Sequence, residues 1–328
     1  MESTTHSLLA LTWFGLIGLM LAFYVVTDGF DLGVGMLTLL SRNRGDRDLM
    51  VQTIGHVWDA NETWLVVVGG ALFGAFPAAY AALMQALYLP VMAMIAGLIM
   101  RGAAIEFRHS AQHRSLWDVV FGVGSLVAAI SQGIALGKVI TGFVPGGSST
   151  AFITVTAIGV VSGYSLLGAT WLARKAVGLL ERWARRLALL SAQFTVAAAI
   201  VLTAATWFDS VAVHARWSEP RVFAPLAVLG VLAVLSYGRL MASLYRGRDR
   251  GPFGAAITLF IVSFAGLAIS LYPYFIPGRL TILQAASDTL TLAFMLIGVG
   301  LVFPVMIGYN LHQYAIFRGK VIETPPHA

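Results

Sequence analysis

Cysteine is absent from all 328 residues. That single absence excludes thiolate nucleophiles, disulfide staples, iron–sulfur ligation and thiolate haem ligation. Charge is scarce as well. Asp, Glu, Lys and Arg make up 11% of the chain, where a soluble domain carries about a quarter. The first seven residues hold no Lys or Arg, and the apolar stretch after them runs on too long for a signal peptide, so none is expected. Histidines are few, and no two are placed to face each other across mid-span positions as a bis-histidine haem requires. His109, His113, His214, His312 and His327 fall in loops or at ends. There is no zinc-like cluster, and 11 scattered Met read as packing in an apolar protein.

What fills the chain instead is hydrocarbon. Hydrophobic residues are 58% of the total and the mean hydropathy is +0.82, which reads as a membrane protein before any motif is considered. Apolar segments lie at roughly 8–38, 60–78, 81–101, 117–137, 152–173, 187–208, 223–243, 254–275 and 290–315, each near or above the ~20 residues that cross a bilayer core. The expected fold is therefore all-α and polytopic, a single membrane domain over 1–328 with nine transmembrane helices. Two four-helix bundles with the ninth helix peripheral would accommodate them. Only Pro77, Ala78, Ala79 and Tyr80 separate the second span from the third. The first is longer than one crossing needs and must overhang or tilt.

The net charge of +6 is a topology signal rather than a nucleic-acid one. Arg42, Arg44 and Arg47 follow span one; Arg101, Arg108 and Arg114 follow span three. Arg174, Lys175, Arg182, Arg185 and Arg186 follow span five, Arg239, Arg246, Arg248 and Arg250 span seven, and Arg318 and Lys320 span nine. These are 17 of the 21 basic residues, leaving Lys138, Arg216, Arg221 and Arg279 for the other side. The positive-inside rule puts the N-terminus outside and the C-terminus in the cytoplasm. Trp58, Trp64, Trp117, Trp207 and Trp217 fall near predicted ends, as an aromatic belt would. Gly29 and Gly33 have the spacing of a close helix contact, while Gly122 with Gly124 and Gly298 with Gly300 hint only weakly at thinning. Gln132 and Lys138 are placed to meet headgroups or a partner.

The acids near the spans need a reason. Asp28 and Asp31 share a face at the cytoplasmic end of span one. His56, Asp59 and Glu62 repeat that spacing where span two opens, with Trp58 and Asn61 among them, and Arg101 and Glu106 close span three. Three helix ends thus bring Asp28, Asp31, Asp59, Glu62 and Glu106 to one depth, with Arg101 and His56 as counter-charges. Acids at such depth face the interior, a partner or water, and suit a proton or cation route. Plainer readings stand beside it. Asp28 and Asp31 can be surface acids at a helix exit, and Asp59 with Asn61 an N-cap. Arg101 reads as a snorkelling arginine that can also pair with Glu106, and His56 as an interfacial histidine. A secondary transporter is the alternative function; it would want charge at the bilayer midplane, where these spans are apolar.

Two strings are more specific than any of this: Thr27-Asp28-Gly29-Phe30-Asp31-Leu32-Gly33-Val34-Gly35-Met36-Leu37 and His56-Val57-Trp58-Asp59-Ala60-Asn61-Glu62-Thr63-Trp64-Leu65. With Gly69-Gly70-Ala71-Leu72-Phe73 and the segment from Arg101 to Arg108, the chain resembles subunit II of the cytochrome bd-type quinol oxidases, including the cyanide-insensitive branch. The resemblance covers essentially the whole chain. It implies a bacterial inner-membrane complex that oxidises quinol and reduces oxygen to water without pumping. The b and d haems and the quinol loop belong to partner subunit I, a small single-span subunit can be present, and subunit II carries no haem ligand. It further implies that Asp59 relays protons, with Trp58, Asn61 and Glu62 shaping its mouth, Asp28 and Asp31 beside it and Glu106 at the entrance. Family members can hold a structural quinone or lipid here. Ala60 stands where the family often has Gly, and the loops between spans four and five and between six and seven are short, as in compact members.

Overall fold

A computed structural model describes residues 2–209, 211–249 and 251–321; Arg250 and His327 lie outside the described residues. The elements in order are α1 (Glu2–Thr38), α2 (Arg44–Ile54), α3 (Trp58–Ala75), α4 (Pro77–Ala86), α5 (Tyr88–Arg108), α6 (Arg114–Ile140) and α7 (Gly147–Lys175). There follow α8 (Gly178–Asp209), α9 (Val211–Trp217), α10 (Pro220–Tyr245), α11 (Gly251–Leu271), β1 (Tyr274–Ile276), β2 (Leu280–Thr281), α12 (Ile282–Ala285) and α13 (Thr289–Ile316). The fold is all-α but for one antiparallel hairpin, β1 with β2, in the connection before α13.

Eight of these helices are long and apolar enough to cross a membrane: α1, α5, α6, α7, α8, α10, α11 and α13. The 18-residue α3 is not among them. Its opening turns carry Asp59, Asn61, Glu62 and Thr63, which lower its apolarity because they belong to the site described below. The stretch expected as a single span over 81–101 is divided. Pro77 opens α4 at its first turn, where a missing N–H costs nothing, and a break at Leu87 then starts α5, which runs on to Arg108. With 37 residues, α1 is about 55 Å long, far more than the ~30 Å hydrocarbon thickness.

The long first helix is the hub. It packs on α3, α6 and α7 and more lightly on α13; α5 lies on α6, α8 on α7, and α10 on α11. Glycine makes two of these contacts possible. A Cβ on Gly33 would overlap the Tyr164 carbonyl, and one on Gly168 would run into the backbone of Gly33 and Val34, so α1 and α7 touch main chain to main chain. Gly97 and Gly124 do the same for α5 and α6: a Cβ on either would meet the other's carbonyl oxygen at 2.6–2.7 Å. Gly298 and Gly300 meet nothing within 4 Å. Trp64 is buried rather than at a belt position, stacked on Phe23 at 4.9 Å. Trp207 and Trp217 do sit together, ring centres 6.1 Å apart.

Because the α1–α7 contact has no room for a side chain, Gly168→Val should cost about 1–3 kcal/mol or more and lower the thermal midpoint of the purified protein by several degrees. Gly230→Ala, at a glycine with nothing within 4 Å, should leave that midpoint unchanged.

Candidate functional site: a buried acid–arginine cluster behind an open acidic mouth

Two carboxylates on one face of α1, Asp28 and Asp31, are fully buried. They are not surface acids at a helix exit. Arg101, from α5, is fully buried as well, so the snorkelling reading does not hold for it. Its Nη1 donates to Asp28 Oδ1 at 2.5 Å and its Nη2 to Glu62 Oε2 at 2.6 Å. It is thus a counter-charge for the cluster, as read from the sequence, with Asp28 and Glu62 as its partners and not Glu106. A guanidinium removed from water needs such matched oxygens, since the effective penalty for a buried ion is several kcal/mol. Glu62 keeps 28% of its side chain exposed, which makes it the link between the buried pair and the outside.

Asn61 closes the inner group. It is buried, and its Nδ2 donates to Asp31 Oδ2 at 2.7 Å while its Oδ1 accepts from the Tyr314 hydroxyl of α13 at 2.8 Å. The N-cap of α3 is Val57, which makes no side-chain cap bond, so neither Asp59 nor Asn61 is the cap. Asp28 Oδ2, Asp31 Oδ1 and Arg101 Nε have no hydrogen-bond partner within the chain. Three carboxylates here face one guanidinium. A proton taken up by the group removes uncompensated charge instead of creating it.

The remaining expected residues form a separate, outer tier. His56, Trp58, Asp59, Ala60 and Glu106, with Gly55 and Gln313, line an open cavity of about 460 Å³. Asp59, Glu106 and His56 are exposed there. His56 offers no counter-charge to the inner acids; its ring stacks on Phe317, centres 4.4 Å apart and 7° from parallel. Trp58 lies against α5 at Gly102, where an added Cβ would sit 3.4 Å from its ring. The indole thus stands one residue from Arg101, between the two tiers.

Sequence reasoning missed three neighbours. Tyr314 is separated from Asn61 by most of the chain. On the other flank, Gln132 Nε2 donates to the Tyr24 hydroxyl at 2.7 Å and the Tyr164 hydroxyl donates to Gln132 Oε1 at 2.6 Å. Gln132 is therefore inside the bundle and not at a headgroup. The available signal was Tyr24, one helical turn before Asp28 on the same face of α1. A second ionic cluster ties α2 to the ends of α5 and α6: Arg108 Nε donates to Asp118 Oδ1 at 2.6 Å, Arg108 also holds Asp48, and Arg47 reaches Asp118 at 3.4 Å. Among the described residues no group of three or more His, Asp or Glu is arranged to hold a metal ion.

The buried pair makes a specific demand. Arg101→Met strands Asp28 in the interior and should destabilise by about 3–5 kcal/mol. Adding Asp28→Asn to it should restore part of that loss. Thermal unfolding of the two variants beside the parent checks both statements; equal loss in single and double variants would deny the coupling.

Comparison with known proteins places the chain in a family. The sequence pattern of the cytochrome bd terminal oxidase subunit II family matches residues 9–317. The chain is 28% identical over 338 residues to "Cytochrome bd ubiquinol oxidase subunit 2" of Bacillus subtilis (strain 168), covering 96% of this chain and 97% of that one. It is 38% identical over 141 residues to "Cytochrome bd-I ubiquinol oxidase subunit 2" of Escherichia coli (strain K12), covering 42% and 37%. In fold it is similar to a chain of the bd oxidase from Geobacillus thermodenitrificans, with a TM-score of 0.75 at 20% identity over 94% of this chain and 98% of that one. With nearly its whole length matched, this chain belongs to the cytochrome bd terminal oxidase subunit II family.

Proposed function

We propose that this subunit lines the cytoplasmic proton uptake path of a bd-type quinol oxidase, beside the haem-bearing subunit in which quinol is oxidised and oxygen reduced. The observation that carries the reading is the order of the two tiers. An open cavity lined by Asp59 and Glu106 stands before a buried group of Asp28, Asp31, Glu62 and Arg101.

In this reading Asp59 takes a proton from water in the cavity, with Glu106 adding acceptor charge beside it and Trp58 restricting the way inward. Glu62, half out of the interior, receives it, and its hold on Arg101 relaxes as its charge is lost. Asp28 and Asp31 then carry the proton within the bundle, Asn61 presenting its amide hydrogens to Asp31. Quinol oxidation releases protons on the outer side, and the reduction of oxygen to water consumes protons drawn from the inside. One charge thereby crosses per electron with no pumping step. The uncompensated acids supply sites for the moving proton.

Nine crossings fit this role. The eight apolar helices together with α3 make that count, with α3 entering the membrane site-first. The helices then fall into two groups of four within one membrane domain. One is α1, α3, α5 and α6; the other is α7, α8, α10 and α11; and they meet along α7, which packs on both α1 and α6. The peripheral member is α13, which has one buried residue, Leu292, among those described. The N-terminus lies in the periplasm and the C-terminus in the cytoplasm. Removing buried Arg101 from the inside tally leaves the basic bias almost untouched.

In the assembled complex, Asp59→Asn should cut quinol-driven oxygen consumption at least tenfold, about 1.4 kcal/mol in barrier, with the haem spectrum retained. Near-normal turnover would remove Asp59 from the path. The orientation is checked separately, since the chain has no native cysteine. In intact cells a membrane-impermeant maleimide applied after outer-membrane permeabilisation should label Arg279→Cys and leave Arg182→Cys unlabelled; the reverse pattern inverts the topology.

A further inference from the structure

The last crossing helix is held in an unusual way. Over its 28 residues, Leu292 is the one buried residue described, and it sits at the end away from the acid cluster. The rest of the helix packs through partly buried side chains, among them Phe303 against Phe23 and Trp64, so the other end is held without a fully buried residue. Yet that end delivers Tyr314, whose hydroxyl donates to Asn61 Oδ1 at 2.8 Å, and Gln313, which lines the outer cavity.

Beside the edge contacts of the Tyr314 ring with Phe30 and Trp171, what holds that end is the segment just beyond the helix, residues 317–321. Lys175, buried at the end of α7, donates from Nζ to the carbonyl oxygens of Phe317 and Gly319 and lies 4.9 Å over the Trp171 ring. In return the Val321 N–H donates to the Lys175 carbonyl at 2.9 Å. Lys320 reaches Asp249 at 2.8 Å and Glu181 at 3.6 Å, and Arg185 grips both of those acids at 2.8 Å. The Lys320 ammonium hydrogen-bonded to Asp249 holds that carboxyl below the usual range, so the ion pairs are closed at neutral pH. Phe317 completes the strap by stacking on His56 at the mouth.

Tyr314 matters because an amide has two unlike ends. Asn61 Oδ1 carries no hydrogen, so the tyrosine must donate to it, and that leaves Nδ2 for the Asp31 carboxylate. Without the hydroxyl, the amide is held at its Nδ2 end alone, by Asp31 Oδ2 at 2.7 Å and the Thr27 carbonyl at 3.4 Å, and its Oδ1 end loses its donor.

We propose that Tyr314 is a positioning residue for the acid relay, acting through Asn61, and that the 317–321 strap is the clasp that holds it in place. This rests on the relay reading given above. The test is steady-state oxygen consumption by the whole complex, haems verified by spectrum, in H2O and D2O. The variants are Tyr314→Phe, Lys175→Met, Lys175→Arg and, as the reference for the relay itself, Asp31→Asn. Tyr314→Phe should lower kcat about fivefold with KM for quinol unchanged and a larger solvent isotope effect, because proton delivery becomes limiting. Lys175→Met should move the same readouts the same way, and Lys175→Arg, which keeps a charged donor, should restore them.

Wild-type kcat in Tyr314→Phe, with Asp31→Asn slow, would overturn the positioning role and leave the relay standing. Wild-type kcat in both would overturn the relay and this inference together. A slow Tyr314→Phe whose isotope effect is unchanged, or which loses haem while Lys175→Met turns over normally, is a structural lesion and also refutes it. Equal impairment in Lys175→Met and Lys175→Arg removes the clasp.

Discussion

A guanidinium with no access to water organises the inner half of this protein. Arg101 is fully buried, and its two terminal nitrogens are matched by Asp28 and Glu62 at 2.5 and 2.6 Å. An ion in such a place persists only where geometry and counter-charge are both good, so three helices must converge to supply them. Much else follows. The opening turns of α3 have to be polar, which is why this helix falls short of the apolarity of the eight others. Next to the arginine, α5 has to approach α6 closely, and the Gly97–Gly124 contact permits that. Asp31, three residues from Asp28 on the same face of α1, is drawn into the same interior and accepts from Asn61 at one of its two oxygens.

The site has two tiers. Exposed acids line an open cavity, and the buried group behind them holds more carboxylates than counter-charge. Glu62 spans the two, bonded to Arg101 within and partly exposed without. Trp58, which lines the cavity, lies against α5 at Gly102, one residue from Arg101.

The acids and the crossing helices were legible in the sequence for one reason: in an apolar chain an ionisable residue is expensive, and its position has to be explained. Asp28, Asp31, Asp59, Glu62 and Glu106 announced themselves in that way. What the sequence concealed was partnership. Arg101 stands at the end of an apolar run, where arginines ordinarily snorkel, and nothing local distinguishes a buried one. His56 and Asp59 share the spacing of the buried pair, yet one faces Phe317 and the other open space. Trp64 looked like a belt residue because one helix read alone shows depth but not which side meets Phe23. Tyr24, Tyr164 and Tyr314 were passed over because phenols near apolar runs carry no charge to attract notice, and Gln132 reads from the sequence as meeting headgroups or a partner.

That last class shows how the cluster stays ordered. Polar groups inside a bundle must be joined completely or they weaken it. Tyr164 donates to Gln132, and Gln132 donates to Tyr24, so each uncharged member of that flank spends its capacity on another. On the opposite flank Tyr314 and Asp31 fix the two ends of Asn61. Within the acid–arginine cluster the unmatched atoms are two carboxylate oxygens, Asp28 Oδ2 and Asp31 Oδ1, and one guanidinium nitrogen, Arg101 Nε; outside it the indole nitrogens of Trp64, Trp171 and Trp217 and the Asn310 Oδ1 are unmatched as well. The bonds that join Tyr24, Gln132 and Tyr164 include no carboxylate, so that flank can keep its geometry when the charge beside it changes.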